Sequence, residues 1–356
     1  MKLAGLVLCA GKGTRLGCLT QRWPKPALPL LGQPLLRFPL ALLSNAGIGE
    51  VGVNVHHLSQ KMEEVARAEA ARMALELVLS HEETLLGTGG GLRELTKRLP
   101  ADTWVVLNGD VVLSMELTPF IEAHLASGAD ASMLLMPMPA GAAFNPVEVD
   151  KQGRVSKVAG HGPGGGCAEP WHFMGAYALS SRVLPYLARP GFFDIAHDVF
   201  PRMMGDGCFI RAHCLPKPPY WSDVGTYERF LQTHHDLMAG RVDGGPFFPH
   251  WPWRTPTPEA IHLERGVCIG RGMTLTPPLW VAAEEKLRQV QLGPFVSVGA
   301  GVQLSAGQCF QHAALLDGAT LLEPNQRYIS GIAAGDQWIP VAAQAAEAPP
   351  AHPTLS

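Results

Sequence analysis

The chain opens on an uninterrupted apolar run, Leu3–Cys9, which leads directly into Gly11-Lys12-Gly13-Thr14-Arg15. No polar residue alternates within the run, so the strand it forms is buried on both faces. Such a strand belongs in the middle of a parallel sheet with helices on each side. The glycines after it make a loop whose backbone N–H groups can approach an anion closely, and Lys12 and Arg15 add positive charge.

The pattern continues through about residue 135. Strand signals at Val51–Val55, Leu75–Leu79, Trp104–Leu107 and Ala131–Met136 alternate with helical spacing at Pro34–Ala46, His57–Met73, Gly90–Leu99 and Leu117–Ala126. This alternation predicts an α/β fold: a Rossmann-like, mixed, mostly parallel sheet with helices on both faces. Ligands of such sheets sit beyond the carboxyl ends of the strands. A β-rich stretch follows, with Val147–Val149, Val155–Val158 and His172–Ala178 as strands. The glycine-rich Gly160–Gly166 between them reads as a surface loop, because no helix follows it to supply a dipole. Val224–Met238 reads as a helix.

From Ile261 the period changes. Aliphatic residues followed by glycine or another small residue recur about every six positions, as in Val267-Cys268-Ile269-Gly270 and Val296-Ser297-Val298-Gly299. That repeat predicts a short C-terminal left-handed parallel β-helix, interrupted at Pro277–Gln291. The resulting division is residues 1–240 catalytic, 241–258 linker, 259–341 β-helix and 342–356 a disordered Ala/Pro-rich tail. Trp251-Pro252-Trp253 would pack the linker.

Charge is nearly balanced, with 28 Lys+Arg against 31 Asp+Glu, which argues against a nucleic-acid binder or a membrane-surface protein. No apolar run reaches the ~18 residues of a membrane span. The amino terminus imitates a lipoprotein signal, but its apolar stretch is short and Leu8 stands where a small residue should precede the cysteine. Seven cysteines without a C-x-x-C pair read as reduced thiols of a cytoplasmic protein. His56-His57 and His234-His235 are adjacent pairs whose rings diverge, so they read as packing groups and not as metal ligands.

Two nucleotide motifs fail in the amino-terminal loop. Leu16 occupies the third glycine position of G-x-G-x-x-G, and G-x-x-x-x-G-K-[ST] is absent. What remains is Leu8-Cys9-Ala10-Gly11-Lys12-Gly13-Thr14-Arg15-Leu16 with Pro24-Lys25-Pro26 behind it. Together these resemble the sugar-1-phosphate nucleotidyltransferases, in particular the mannose-1-phosphate guanylyltransferase-like members with a carboxy-terminal β-helix. The resemblance implies transfer of a nucleotidyl group from an NTP to a sugar 1-phosphate, releasing pyrophosphate. It makes Arg15 and Lys25 the phosphate-neutralising cations. Leu8, Ala10, Gly11, Lys12, Gly13 and Thr14 become nucleotide contacts.

Further segments agree. Glu83 and Gly87-Thr88-Gly89 resemble the family's base and ribose segment. Asn108-Gly109-Asp110 resembles its nucleotide-side turn, with Asp110 as a metal ligand and a catalytic group. Trp221-Ser222-Asp223-Val224-Gly225-Thr226 supplies Asp223 as the second ligand for Mg²⁺. On the sugar side the likeness points to Gly175, and Asn145 and Lys157 are further candidates. The family's Glu-Lys-Pro, whose lysine holds the sugar phosphate, is missing: Lys157-Val158 runs into Ala159-Gly160-His161. Because a branch acting on N-acetylmuramic acid 1-phosphate also lacks it, the donor stays open between GTP and UTP. The acceptor stays open among mannose, glucose, N-acetylglucosamine, heptose and N-acetylmuramic acid phosphates. A non-catalytic nucleotide-sugar sensor is the alternative from another class. An acyltransferase in the β-helix is a remote third, since His262 and His312 have no evident acidic partner in the sequence. Open solenoid ends suggest a homo-oligomer.

Overall fold

The computed structural model describes residues 1–139, 145–164, 170–242, 259–282 and 286–342. Trp251-Pro252-Trp253 with most of the linker, Cys167, the end of the Gly160–Gly166 loop and the tail from 343 lie outside the described residues. The chain divides into two compact units. Met1–Gly225 forms the first, and Thr226–Arg241 joins the residues from 259 onward in the second.

In the first unit the strands and helices run in chain order: β1 (Leu3–Leu8), α1 (Arg37–Asn45), β2 (Glu50–Val55), α2 (Ser59–Arg72), β3 (Glu76–His81), α3 (Gly87–Arg98), β4 (Thr103–Asn108) and β5 (Val111–Leu113). Then come α4 (Thr118–Ser127), β6 (Ala131–Pro137), β7 (Val147–Val149), β8 (Val155–Val158), β9 (Trp171–Ser180), α5 (Phe200–Gly205), β10 (Ile210–Cys214) and β11 (Trp221–Asp223). The sheet order is β10-β6-β9-β4-β1-β2-β3, with β7 and β8 attached at one end of β9. Strands β1 to β4 are mutually parallel, and β9 runs antiparallel to β4 and β6.

Small residues let helices close on both faces of β1 and β2. A Cβ on Gly5 would meet Leu43 of α1 at 2.8 Å. One on Gly52, the partner of Leu6, would meet Leu6 at 2.9 Å and Leu95 of α3 at 3.1 Å. Leu6, Leu92, Leu95, Trp104, Val106 and Tyr177 are buried in one cluster on the α3 face. At ~25 cal/mol per Å² of apolar surface, this two-sided burial is what holds β1 in the centre.

Two boundaries differ from the sequence reading. α3 starts at Gly87 and not at Gly90, so the glycines form its first turn. The last helix starts at Tyr227 and not at Val224, because Trp221–Asp223 pairs antiparallel with β5 (Asp223↔Val111). Thr226 then caps the helix, its Oγ1 accepting from Arg229 N at 3.3 Å.

The second unit contains that helix, α6 (Tyr227–Met238), and a stack of parallel coils. β12 (Ile261–Leu263), β13 (Leu279–Val281), β14 (Val296–Val298), β15 (Cys309–Leu315) and β16 (Arg327–Ala334) lie one above another. Their partners Ile261, Leu279, Val296, Ala313 and Gly331 are 17 or 18 residues apart, three hexapeptides per coil. β17 (Gln337–Pro340) folds back antiparallel on β16. The supposed interruption at Pro277–Gln291 is corrected here: it supplies β13 and the short strands Lys286–Leu287 and Gln291–Leu292, and Leu279, Val281, Leu287 and Leu292 fill the interior. Pro277 and Pro278 form the bend that leads into β13.

The histidines of this unit pack. His234 Nδ1 lies 3.0 Å from Phe230 O, and the His235 ring meets Phe295 and His312 at 5.1 and 5.4 Å. Burial pushes His234 down to about 4 and His235 to about 3, so both are neutral at pH 7. His312 stacks on Phe295, while His262 Nε2 lies 3.3 Å from Glu264 Oε1, an acidic neighbour the sequence reading missed.

Candidate active site

Parallel pairing brings the carboxyl ends of β1, β2 and β4 together: Leu8 lies opposite both Asn54 and Asn108. The chain turns sharply after each strand, and the polar groups collect at those turns.

After β4, Gly109 N donates to Leu8 O at 3.0 Å. A Cβ on Gly109 would sit 2.5 Å from Cys9 Sγ and 3.0 Å from Leu8 O, so only glycine allows this approach. Asp110 follows directly, about a third exposed. The backbone N of Val224 donates to Asp110 O at 3.1 Å, and the β5–β11 pairing aligns Asp223 beside Asp110.

Lys25 reaches into the gap between the two carboxylates. Its Nζ lies 2.5 Å from Asp110 Oδ2 and 3.4 Å from Asp223 Oδ1, and its side chain is only 9% exposed. Pro24 and Pro26 flank Lys25 itself, Pro24 capping and Pro26 lying within a single tight turn at Lys25–Ala27, which fixes the lysine stem. Gly13, in the left-handed region at φ 62°, lets the loop fold over that stem: its Cβ would meet Lys25 Cβ at 3.1 Å. The Arg15 guanidinium lies against Gly225, where a Cβ would be 2.9 Å from Nη2 and 3.2 Å from Asp223 Oδ1. Arg15, Lys25, Asp110 and Asp223 therefore converge. Lys12, Thr14 and Gly11 are exposed on the loop, Ala10 is buried and Leu8 half-buried.

Cys9 lies beneath this cluster. Burial pushes its thiol well up and the Asp110 charge adds to the shift, so it stays protonated and inert as a nucleophile.

The second glycine segment has a different basis. Gly89 N and Gly90 N donate to Phe193 O at 3.0 and 3.4 Å. A Cβ on Gly89 would be 2.4 Å from the Phe193 ring, and one on Gly87 2.4 Å from Phe193 O. Thr88 Oγ1 donates to Asp194 Oδ2 at 2.6 Å and accepts from Ile195 N at 2.9 Å. Glu83 is exposed. Its neighbour Glu82 is buried and accepts from Asn54 Nδ2 at 2.7 Å and Leu86 N at 2.9 Å. Asn54 Oδ1 in turn accepts from Cys9 N at 2.7 Å. This buried chain, Cys9 N to Asn54 to Glu82 to Leu86 N, ties the two glycine segments into one frame. Sequence reasoning missed Asn54, Glu82, Phe193 and Asp194. The available signal was Asn54 itself, a polar residue inside the apolar strand Val51–Val55.

Of the sugar-side candidates, Gly175 sits at a bulge in β9 at φ 80°, where a Cβ would be 3.2 Å from Asn108 Nδ2. Lys157 Nζ pairs with Glu148 Oε1 at 3.1 Å across the β7–β8 hairpin, and Asn145 is exposed.

Among the described residues no group of three or more His, Cys, Asp and Glu could hold a metal. Two carboxylates suit Mg²⁺, which is bound through one or two of them plus water and substrate phosphates. The Lys25 ammonium between Asp110 and Asp223 shows that this pair accepts a cation. No helix of the described residues is long and apolar enough to cross a membrane.

The nucleotidyl transferase family model matches residues 4–240. A mannose-1-phosphate guanylyltransferase of Mycobacterium tuberculosis is 31% identical over 280 residues, 76% of each chain. A UTP–glucose-1-phosphate uridylyltransferase of Synechocystis is 26% identical, over 67% of this chain and 64% of that protein. A glucose-1-phosphate adenylyltransferase of Deinococcus radiodurans is 25% identical over 74% and 75%. Among solved structures, HddC from Yersinia pseudotuberculosis matches with a TM-score of 0.55 at 21% identity, over 67% of this chain and 100% of that one, a likeness of fold. A nucleotidyltransferase fold, two carboxylates and two cations at the strand ends, and relatives named for this one reaction class agree: the chain belongs to the sugar-1-phosphate nucleotidyltransferase family.

Proposed function

We propose that this enzyme is a mannose-1-phosphate guanylyltransferase, joining GTP to mannose 1-phosphate with Mg²⁺ and releasing pyrophosphate. The observation that carries the reaction class is Lys25 held between Asp110 and Asp223 with Arg15 alongside. The guanylyl and mannosyl choice is supported by the Mycobacterium relative. Relatives named for UTP and for adenylyl transfer, at 26% and 25% identity, keep a uridylyl or adenylyl reading in the test.

The chain's own residues do the following. The open loop Gly11–Thr14 presents backbone N–H groups to the triphosphate. Arg15 neutralises the departing pyrophosphate. Lys25 leaves its carboxylate partners to meet the α-phosphate or the acceptor phosphate. Asp110 and Asp223 would hold Mg²⁺, which supplies charge neutralisation on the phosphates when bound. The acceptor oxygen is already anionic, so in-line attack on the α-phosphorus needs no general base. The protonated, buried Cys9 agrees with a site that works by position and charge.

The test is pyrophosphate release in a matrix of four NTPs against mannose, glucose, N-acetylglucosamine, heptose and N-acetylmuramic acid 1-phosphates. GTP with mannose 1-phosphate is expected to be the productive pair. Another productive pair reassigns the substrates within the family, and silence with nucleotide sugars still bound moves the chain to a sensor role. In the active pair, Asp110→Ala is expected to lower kcat by roughly 10²–10³. Wild-type turnover in that variant would sink the metal assignment.

A further inference from the structure

We propose that Phe192 is a stacking surface for the nucleobase of the bound NTP, a residue that the family motifs in the sequence leave unassigned. The proposal rests on the reading of Gly87–Gly89 as the base and ribose segment.

Phe192 stands out by contrast with its surroundings. It is 63% exposed, whereas Phe193 next to it is 1% exposed. The segment that carries both is not a loose loop. Phe193 N donates to Leu86 O at 3.1 Å, Phe193 O accepts from Gly89 N, and Asp194 and Ile195 bond to the Thr88 hydroxyl. Phe193 is buried under Gly89, with the Arg93 and Arg189 guanidinium groups 5.8 and 5.2 Å from its ring. The residue after Gly191 is thus presented on a clamped backbone, and its ring stands against Gly87, where a Cβ would be 3.2 Å from Phe192 Cε2.

A rigidly presented, uncovered aromatic beside a nucleotide segment is suited to one kind of occupant, a flat π-face. Through Leu86, Glu82 and Asn54 that segment is tied to Cys9 and so to the phosphate loop. Phosphates held at Gly11–Arg15 and a base lying at Gly87 are the two ends of one nucleotide. Stacking accepts any base, so Phe192 raises NTP affinity in general and does not choose between guanine and uracil.

The test uses the whole chain and its best NTP and sugar 1-phosphate pair. Phe192→Ala, whose melting temperature should match the wild type, is expected to raise KM for the NTP roughly five- to a hundredfold, the range for loss of one stacked base. kcat at saturating NTP, KM for the sugar 1-phosphate and inhibition by pyrophosphate, which has no base, stay within about twofold. Phe192→Trp restores the NTP KM. An unchanged NTP KM in folded Phe192→Ala overturns the proposal, and so does a rise confined to the sugar 1-phosphate. Calorimetric NTP binding separates the two layers. A wild type that binds NTP without transferring it removes the proposed function, and Phe192→Ala binding then still decides the stacking role. A wild type that binds no NTP removes both.

Discussion

The two glycine segments look alike in sequence and differ in what their glycines do. At Gly87, Gly89, Gly90 and Gly91 the space a Cβ would fill is occupied: by Phe193 at the first two, by Leu86 at Gly90 and by Asn54 and Glu82 at Gly91. At Gly11 nothing lies within 4 Å, and its φ is not in the left-handed region. Packing therefore explains the glycines of the α3 segment and gives no reason for Gly11. Gly49 and Gly205 are equally unconstrained, so open space alone does not single out a ligand. What sets Gly11 apart is its place in the loop beside Lys25, Asp110 and Asp223, the loop that the proposed function assigns to the triphosphate.

The largest effect expected from this contrast is at Gly89. A methyl group there falls 2.4 Å from the Phe193 ring, which is buried and cannot move aside. Gly89→Ala should destabilise the first unit by about 1–3 kcal/mol, the usual cost of overfilling a packed core. The melting temperature measures it, and Phe193→Leu in the same chain should recover part of the loss. Full stability in the single variant would break the packing half of the comparison.

A smaller effect is expected at the buried chain that links the segments. Asn54→Ala removes the acceptor for Cys9 N and a donor to the buried Glu82 carboxylate. Leaving such groups unsatisfied costs about 1–3 kcal/mol, partly relieved by the Leu86 N bond that Glu82 keeps. Because the chain spans both segments, the NTP KM should rise as well. A stability loss with an unchanged KM would show that the link serves folding alone.

Much of this was legible in the residues. The apolar run Leu3–Cys9 and the alternation after it specify a central parallel strand, and the spacing near Val296 specifies stacked coils. What stayed hidden has a common physical character: it depends on residues far apart in sequence meeting in space. Phe193 lies over a hundred positions from Gly89, so nothing local signals that the glycines are spaced for its ring. The β5–β11 pairing that shortens the last helix joins Val111 to Asp223. The segment Pro277–Gln291 read as an interruption because its repeat is carried by inward aliphatic positions whose partners lie 17 or 18 residues away in the neighbouring coils, as Leu279 with Ile261 and Val296. Asp110 and Asp223 could be named from motifs, but the lysine held between them is a product of the fold.

The smallest expected effect on stability is the most informative about the site. Gly11→Ala adds a methyl group to open space at an ordinary φ, so the melting temperature should stay within what a change of ~0.5 kcal/mol produces. Activity should not follow. A methyl group on the loop face blocks close approach of phosphate oxygens to the backbone N–H groups, and the NTP KM should rise by an order of magnitude or more, while KM for the sugar 1-phosphate changes little. A stable Gly11→Ala enzyme with wild-type NTP KM would mean that the open face of the loop is not where the triphosphate binds. The Lys25–Asp110–Asp223 cluster would then have to be reached by a nucleotide lying on the other side of Arg15.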